Sequence, residues 1–188
     1  MSIQPDLLLR QVRMLVRFRR VRVSFDDAFL SSATVFPALR QLGLPLQIFV
    51  CTAFARDGAP LTIPEFEGDD LEQLATMTWD DLRAHATDGV AVGSHGVSHA
   101  RLTRLGGDDL RRELVESKQQ IEDELGRPCT ELAYPYGEHD ERVRAAARGA
   151  GYARAYGLRE RGRDPYALPR LDLYRRHGPV RALLRLHL

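Results

Sequence analysis

Two short segments of this 188-residue chain hold side chains whose types and spacing suit a hydrolytic metal site. Ser24-Phe-Asp-Asp-Ala28 sets two adjacent carboxylates at the end of an apolar run. Charge in such a place is unfavourable unless each carboxylate has a partner or a task. An Asp-Asp helix cap explains the pair when it is taken alone. Gly93-Ser-His-Gly-Val-Ser-His99 places His95 and His99 at i, i+4, a spacing that lets both imidazoles face one ion if the segment turns after a strand. Gly93 and Gly96 permit close backbone approach. By itself this segment also reads as an exposed histidine pair. Taken jointly, one Asp and two His leave a coordination position open for water, which distinguishes a catalytic metal site from a closed structural one. A metal there would polarise an amide carbonyl and lower the pKa of its water. The second carboxylate is then free to act as a general base.

These residues need elements that bring them together, and short apolar runs do alternate with helical patterns along the chain. Strand character is expected over 21–25, 46–52, 90–93, 131–134 and 153–157, with a last strand at 171–174. Helices are expected over 31–42, from a Thr78–Asp81 capping box to about residue 87, over 108–125 with Gly126 as the stop, and over 138–150. Residues 53–77, rich in Gly and Pro, read as an excursion with at most a short helix. The alternation predicts an α/β architecture with a mostly parallel sheet. About six strands fall short of a complete eight-stranded barrel. The polar clusters at 26–27, 94–99 and 135–137 each follow a strand. In parallel α/β folds those strand ends share one face, so the three segments are expected to converge.

The bulk properties narrow the field. Hydrophobic content of 44% and charged content of 28% are those of an ordinary globular chain, here read as a single domain over residues 1–188. A net charge of +1 gives no nucleic-acid footprint. Lys118 is the only lysine, so the positive charge is almost all arginine. Cys51 and Cys129 form no CxxC pair, and a buried free thiol is the expectation for Cys51. Leu8, Val12 and Leu15 recur at helical spacing within residues 1–20, which predicts an amphipathic helix packed on the domain. A basic membrane-surface helix is the alternative. Arginines interrupt every apolar stretch there, leaving neither a secretory h-region nor a transmembrane span. A cytoplasmic location follows by default, peripheral at a membrane if the alternative holds.

The motifs resemble those of the polysaccharide deacetylase family, the NodB homology domain of carbohydrate esterase family 4. Ser-Phe-Asp-Asp-Ala is similar to its Thr-Phe-Asp-Asp-Gly, Ser-His-Gly-Val-Ser-His to its Ser-His-Thr-x-x-His, and Ala133-Tyr-Pro-Tyr-Gly137 to its third motif. Leu42-Gly-Leu-Pro, Met77-Thr-Trp-Asp-Asp-Leu, Ser117-Lys118 and Leu125-Gly126 agree as well, so that the resemblance spans roughly residues 20–175. It implies a distorted, incomplete, TIM-like (β/α) barrel and the hydrolysis of the N-acetyl group of an acetamido sugar or glycan. It also implies one divalent metal ion, zinc by default, held by Asp27, His95 and His99. Asp26 then looks like the general base that activates the metal's water, and the Tyr136 backbone N–H like a donor to the oxyanion. Pro135 and Tyr134 are candidates for substrate contact, although a core role is the alternative for Tyr134, Tyr136 and Trp79.

Departures from the family pattern shape the expectations. Ala28 stands where Gly is usual, a strain if its φ is positive. Ala133 stands where many members have an arginine that orients the catalytic Asp, and Arg170 in Leu-Pro-Arg-Leu is the candidate replacement. The usual late histidine acid leaves His177 and His187 as candidates, His187 having the better local context, with a surface role as the alternative for both. His85 and His139 read as solvated. Two further functions stay open: a carbohydrate-binding protein with a weakened site, and a hydrolase of a different C–N amide. A non-haem Fe(II) facial triad fits the donor set but not the strand–helix alternation.

Overall fold

A computed structural model describes residues 5–18, 20–68, 70–158, 164–171 and 173. Helix α1 (Pro5–Leu15) buries Leu8, Val12 and Leu15 together with Gln11. Leu8 and Val12 join the main core cluster, so the apolar stripe faces the protein interior. Strand β1 (Val23–Phe25) follows. The segment expected as one helix over 31–42 is instead a 3₁₀ turn (Leu30–Val35) followed by α2 (Phe36–Gln41). Pro37 explains the break, because it has no N–H to continue an α-helical ladder yet is well suited to a first turn.

Strand β2 (Leu46–Val50) is buried at every position. The Gly- and Pro-rich excursion holds one 3₁₀ turn (Pro64–Phe66) and returns through an isolated bridge between Phe29 and Thr76. Helix α3 (Trp79–Thr87) opens on the expected capping box, Asp81 N–H donating to Thr78 Oγ1 at 3.2 Å and Thr78 N–H to Asp81 Oδ2 at 2.9 Å. Trp79 is buried in the core. Strand β3 (Ala91–Ser94) leads to the histidine loop and then to α4 (Gly107–Leu125), which stops where Gly126 turns left-handed at φ 62°.

Strand β4 (Glu131–Ala133) is followed by a 3₁₀ turn (Pro135–Gly137), and only then by α5 (Glu141–Gly149). Asp140 sets that later start by capping it, accepting from Val143 N–H at 2.7 Å. Strand β5 (Arg154–Gly157) pairs with β6 (Leu168–Pro169), which was not expected; of the strand expected at 171–174, residues 172 and 174 lie outside the described residues. Proline cannot donate to a ladder and so masks a strand in the sequence, yet it is tolerated on an edge. Leu171 and Leu173 lie outside any strand and line a cavity of about 690 Å³ beside β1.

The six strands found among the described residues are all parallel and lie in sequence order, β1-β2-β3-β4-β5-β6. With no reversal of order there is no doubly wound switch point, and the sheet curls into a barrel-like arc. β1 and β6 are not paired, so the result is an incomplete (β/α) barrel. Contacts between non-neighbouring strands must cross its concave side. Arg22, just before β1, donates to Glu131 Oε2 of β4 at 2.6 Å and to the Tyr156 hydroxyl of β5 at 2.7 Å, a polar plug at the strands' N-terminal end. Gly93 is needed where β3 passes Phe49, because a Cβ there would lie 2.7 Å from that ring and 2.8 Å from the Glu131 carbonyl. Among the described residues no helix is long and apolar enough to cross a membrane.

Candidate active site

The C-terminal ends of β1, β3 and β4 bring the three polar segments together. Among the described residues, four that are not glycine have positive φ: Asp27 at 65°, Ala28 at 53°, His99 at 61° and Tyr136 at 61°. All four lie in those segments or, for Ala28, directly after one. Such backbone conformations are disfavoured by about 1–3 kcal/mol each and persist where surrounding contacts over-determine them. Ala28 thus takes the left-handed conformation that a glycine would adopt freely. It is fully buried, and its carbonyl accepts from Met77 N–H at 2.8 Å.

Asp27, His95 and His99 each offer one donor atom, and these atoms lie within 4.8 Å of one another. Asp27 Oδ1 is 3.6 Å from His95 Nε2 and 3.4 Å from His99 Nε2. His95 Nδ1 is 2.7 Å from the Ala133 carbonyl, which can only accept. Nδ1 therefore carries a proton, which leaves Nε2, on the side of Asp27, as the ring atom that could ligate. Two imidazole nitrogens and a carboxylate oxygen, with one ring already fixed in orientation, fit a divalent metal. The His99 ring packs edge-on against Tyr136 at 4.6 Å, and the Arg101 guanidinium lies 3.7 Å over the other ring's centroid. Arg101 is anchored in turn by Glu138 Oε1 at 2.7 Å.

Asp26 has a different environment from its neighbour. Its side chain is 33% exposed against 13% for Asp27, so it faces the opening of the cleft. Arg170, immediately after β6, grips it with two parallel hydrogen bonds, Nη1 to Oδ1 at 2.6 Å and Nη2 to Oδ2 at 2.8 Å. The fork spans the gap between the two unpaired edge strands and meets the carboxylate in the bidentate geometry that suits it. Burial alone would raise the Asp26 carboxyl, but the charge of Arg170, then His95, together with the Arg170 hydrogen bonds, brings it down to about 2. Burial pushes Asp27 the other way, up to about 6, with Asp26's charge adding to the effect and His95 and Arg170 opposing it. The Cys51 thiol is buried 3.9 Å from Asp27 Oδ1, and burial and both carboxylates push its pKa up, so it stays a neutral thiol.

Several sequence expectations change. Tyr134 is fully buried with its hydroxyl donating to the Tyr166 carbonyl at 2.9 Å, and Pro135 is buried too, so neither offers a face to a substrate. His139 is partly buried against the Tyr134 ring at 4.8 Å, and His85 against Phe36 at 5.0 Å, in place of the expected solvated rings. His177 and His187 lie outside the described residues. Glu113 of α4 escaped notice in the sequence. Its buried carboxylate accepts from Val97 N–H at 2.7 Å, Ser98 N–H at 3.1 Å and Ser98 Oγ–H at 2.6 Å, all within the histidine loop. The available signal was a charged residue on the stripe of α4 that also holds Leu110, Leu114 and Ser117.

Comparison with known proteins agrees with this architecture. The solved structure of Streptococcus pyogenes deacetylase PplD in complex with acetate superposes with a TM-score of 0.78 at 18% identity, covering 97% of this chain and 86% of that one. A family 4 carbohydrate esterase from Streptomyces lividans in complex with acetate superposes at 0.56 with 23% identity, covering 72% and 60%. In sequence, the chain is 23% identical over 156 residues to YxkH of Bacillus subtilis strain 168, which is named as a polysaccharide deacetylase. That match covers 80% of this chain but only 50% of YxkH, so the chain spans about half the length of this relative. The polysaccharide deacetylase family model matches residues 16–155, which include all three motif segments. With the motifs, the barrel and that match in agreement, the chain belongs to the polysaccharide deacetylase family.

Proposed function

We propose that this chain is a metal-dependent N-deacetylase that hydrolyses the acetamide of an amino sugar within a glycan. The observation that supports this most strongly is the meeting of Asp27, His95 and His99 beside a second carboxylate that Arg170 holds fully ionised. In this reading the three residues hold one divalent ion, zinc being favoured by the donor set. When bound, that ion supplies Lewis-acid polarisation of the acetyl carbonyl and acidifies the attacking water.

The chain's own residues do the rest. Asp26 takes the proton of the attacking water at the carboxylate oxygen that faces the cleft. Arg170 keeps Asp26 charged and fixes its plane, so that no reorganisation is needed as the proton moves. In this reading the Tyr136 backbone N–H, in a left-handed turn, donates to the oxygen on which negative charge develops. Tyr136, pinned between His99 and Arg101, forms the wall of the cleft where the sugar ring is held. The reading as a weakened binding protein has two grounds, the missing arginine at position 133 and the unassigned acid; Arg170, just after β6, gives Asp26 an arginine partner and weakens the first of them.

Acetate release from N-acetylated chito-oligosaccharides tests the proposal. Purified protein is expected to release acetate when loaded with zinc, to lose at least about a hundredfold in rate after chelation, and to recover on zinc addition. Acetate release indifferent to chelation would contradict the metal role. A zinc-loaded protein that releases no acetate from any acetamido sugar would contradict the substrate class.

A further inference from the structure

We propose that Glu113, which belongs to α4 and to none of the three motif segments, is a positioning residue of the metal site. Its carboxylate fixes the turn that sets His99 against His95 and Asp27. This inference rests on the metal reading above.

The two histidines are held in place by different means. His95 sits at the end of β3, with its N–H donating to the Val50 carbonyl at 2.8 Å and its ring fixed by Ala133. His99 lies four residues further on, beyond any strand, with its backbone in the left-handed region. Its position therefore depends on the turn at 96–98. That turn is gripped from two sides. Its carbonyls face β2's continuation, Gly96 O accepting from Thr52 N–H at 3.2 Å and Val97 O from Ala53 N–H at 3.0 Å. Its donors face α4, where two consecutive backbone N–H groups and the Ser98 hydroxyl all converge on the Glu113 carboxylate.

The fit is close. Gly96 has φ +81°, and a Cβ there would lie 2.9 Å from Glu113 Oε2, so the carboxylate sits close against the turn and a side chain at 96 would displace one or the other. One helical turn further along α4, Ser117 Oγ donates to the Glu113 carbonyl at 2.6 Å and lies 2.8 Å from Ser94 Oγ, which accepts from Gly96 N–H at 3.0 Å. The i, i+4 pair of Glu113 and Ser117 thus grips both ends of the turn. A helix face that only filled the core would place an apolar side chain at 113, since a buried carboxylate is costly without such donors. Outer groups that orient metal ligands typically affect metal affinity by about 10–100-fold.

Three variants and two readouts test this, with zinc affinity measured by chelator competition and stability of the metal-free protein by thermal melting. Glu113→Gln has the same length, and its amide oxygen can accept from the two N–H groups while its NH₂ donates to Ser98 Oγ. It is expected to bind zinc nearly as tightly as wild type. Glu113→Ala is expected to weaken zinc binding by about 10–100-fold, by more than its loss of metal-free stability accounts for. If Glu113→Ala does not fold, Glu113→Asp carries the test, because it keeps the charge but falls one methylene short of the loop, and weaker zinc binding is expected there too. A destabilised Ala or Asp variant that binds zinc as wild type does would reduce Glu113 to a structural residue and overturn the proposal. So would a Gln variant as weak as Ala, which would assign the effect to charge. A wild-type protein that binds no zinc would instead bring down the metal reading itself.

Discussion

Replacing Asp27 by Asn is expected to abolish zinc binding and, at the same time, to make the metal-free protein more stable above pH 6. The first effect follows from removing the only carboxylate of the donor set. The second follows from the direction of the Asp27 shift. Burial, with Asp26's charge alongside, raises this carboxyl from 3.8 to about 6, despite the opposing pull of His95 and Arg170. Between those two pH values the unfolded chain gives up its proton before the folded one does. Folding stability therefore falls as pH rises from about 4 to about 6, and the deficit persists above. A shift of this size corresponds to roughly 2–3 kcal/mol. Asn cannot ionise, so the variant escapes the deficit. Urea denaturation of chelator-treated proteins should show Asp27→Asn more stable by about 1–3 kcal/mol at pH 8, with the gap closing toward pH 4. Zinc should then stabilise wild type and leave the variant unchanged. A variant less stable than metal-free wild type at pH 8 would contradict this account of the site's electrostatics.

Replacing Arg170 by Met is expected to lower kcat/KM by about 10²-fold or more and to change the shape of its pH profile. In wild type, Arg170 outweighs the burial that would raise Asp26, and the carboxyl stays ionised down to about pH 2. The acid limb of wild-type activity is then set by other groups. Without Arg170 the burial contribution is left largely unopposed, so the Asp26 pKa rises and activity is lost as pH falls through the new, higher value. Stability moves the same way: the depressed pKa stabilises wild type above the unfolded value of 3.8, and Arg170→Met forfeits that contribution at neutral pH. Arg170→Lys keeps the charge but offers one point donor in place of a fork, so an intermediate rate and a smaller shift of the acid limb are expected. Steady-state rates of acetate release from pH 4 to 9 would check both variants. An unchanged kcat/KM and acid limb in Arg170→Met would remove Arg170 from the mechanism.

Much of this was legible in the sequence, for reasons that differ by residue. The alternation of apolar runs with helical patterns gave the fold class, because each strand buried on both faces reads as an apolar run, as β2 does. The convergence of the segments that hold Asp27, His95 and His99 followed from parallel topology, since the C-terminal ends of strands share a face, whereas the choice of Asp27 over Asp26 came from the family resemblance. What stayed hidden involved either proline or long-range contact. Pro169 masked β6 and drew the expected strand to the alternating leucines 171 and 173, which line a cavity instead. Pro37 split a helix that looked continuous. Tyr134 looked available to a sugar because its neighbours are motif residues, yet alternation along the chain sends its ring into the core. Glu113 reads in sequence as one acid among many on a charged helix. Only the packing of α4 against β3 reveals that it faces the histidine loop. The signs of the two carboxylate shifts were equally out of reach, because they depend on which aspartate meets Arg170 across the open seam.

The central claim is that Asp27, His95 and His99 together hold a single metal ion while Asp26 stays outside the ligand set. X-ray data collected on either side of the zinc absorption edge, from crystals of the zinc-loaded protein, test it most directly. The account predicts one strong anomalous peak at about 2.0–2.2 Å from Asp27 and from the two imidazoles, with Asp26 still in the grip of Arg170 and beyond bonding distance of the ion. A peak elsewhere, a peak bonded to Asp26 in place of Asp27, or no peak at all would contradict it.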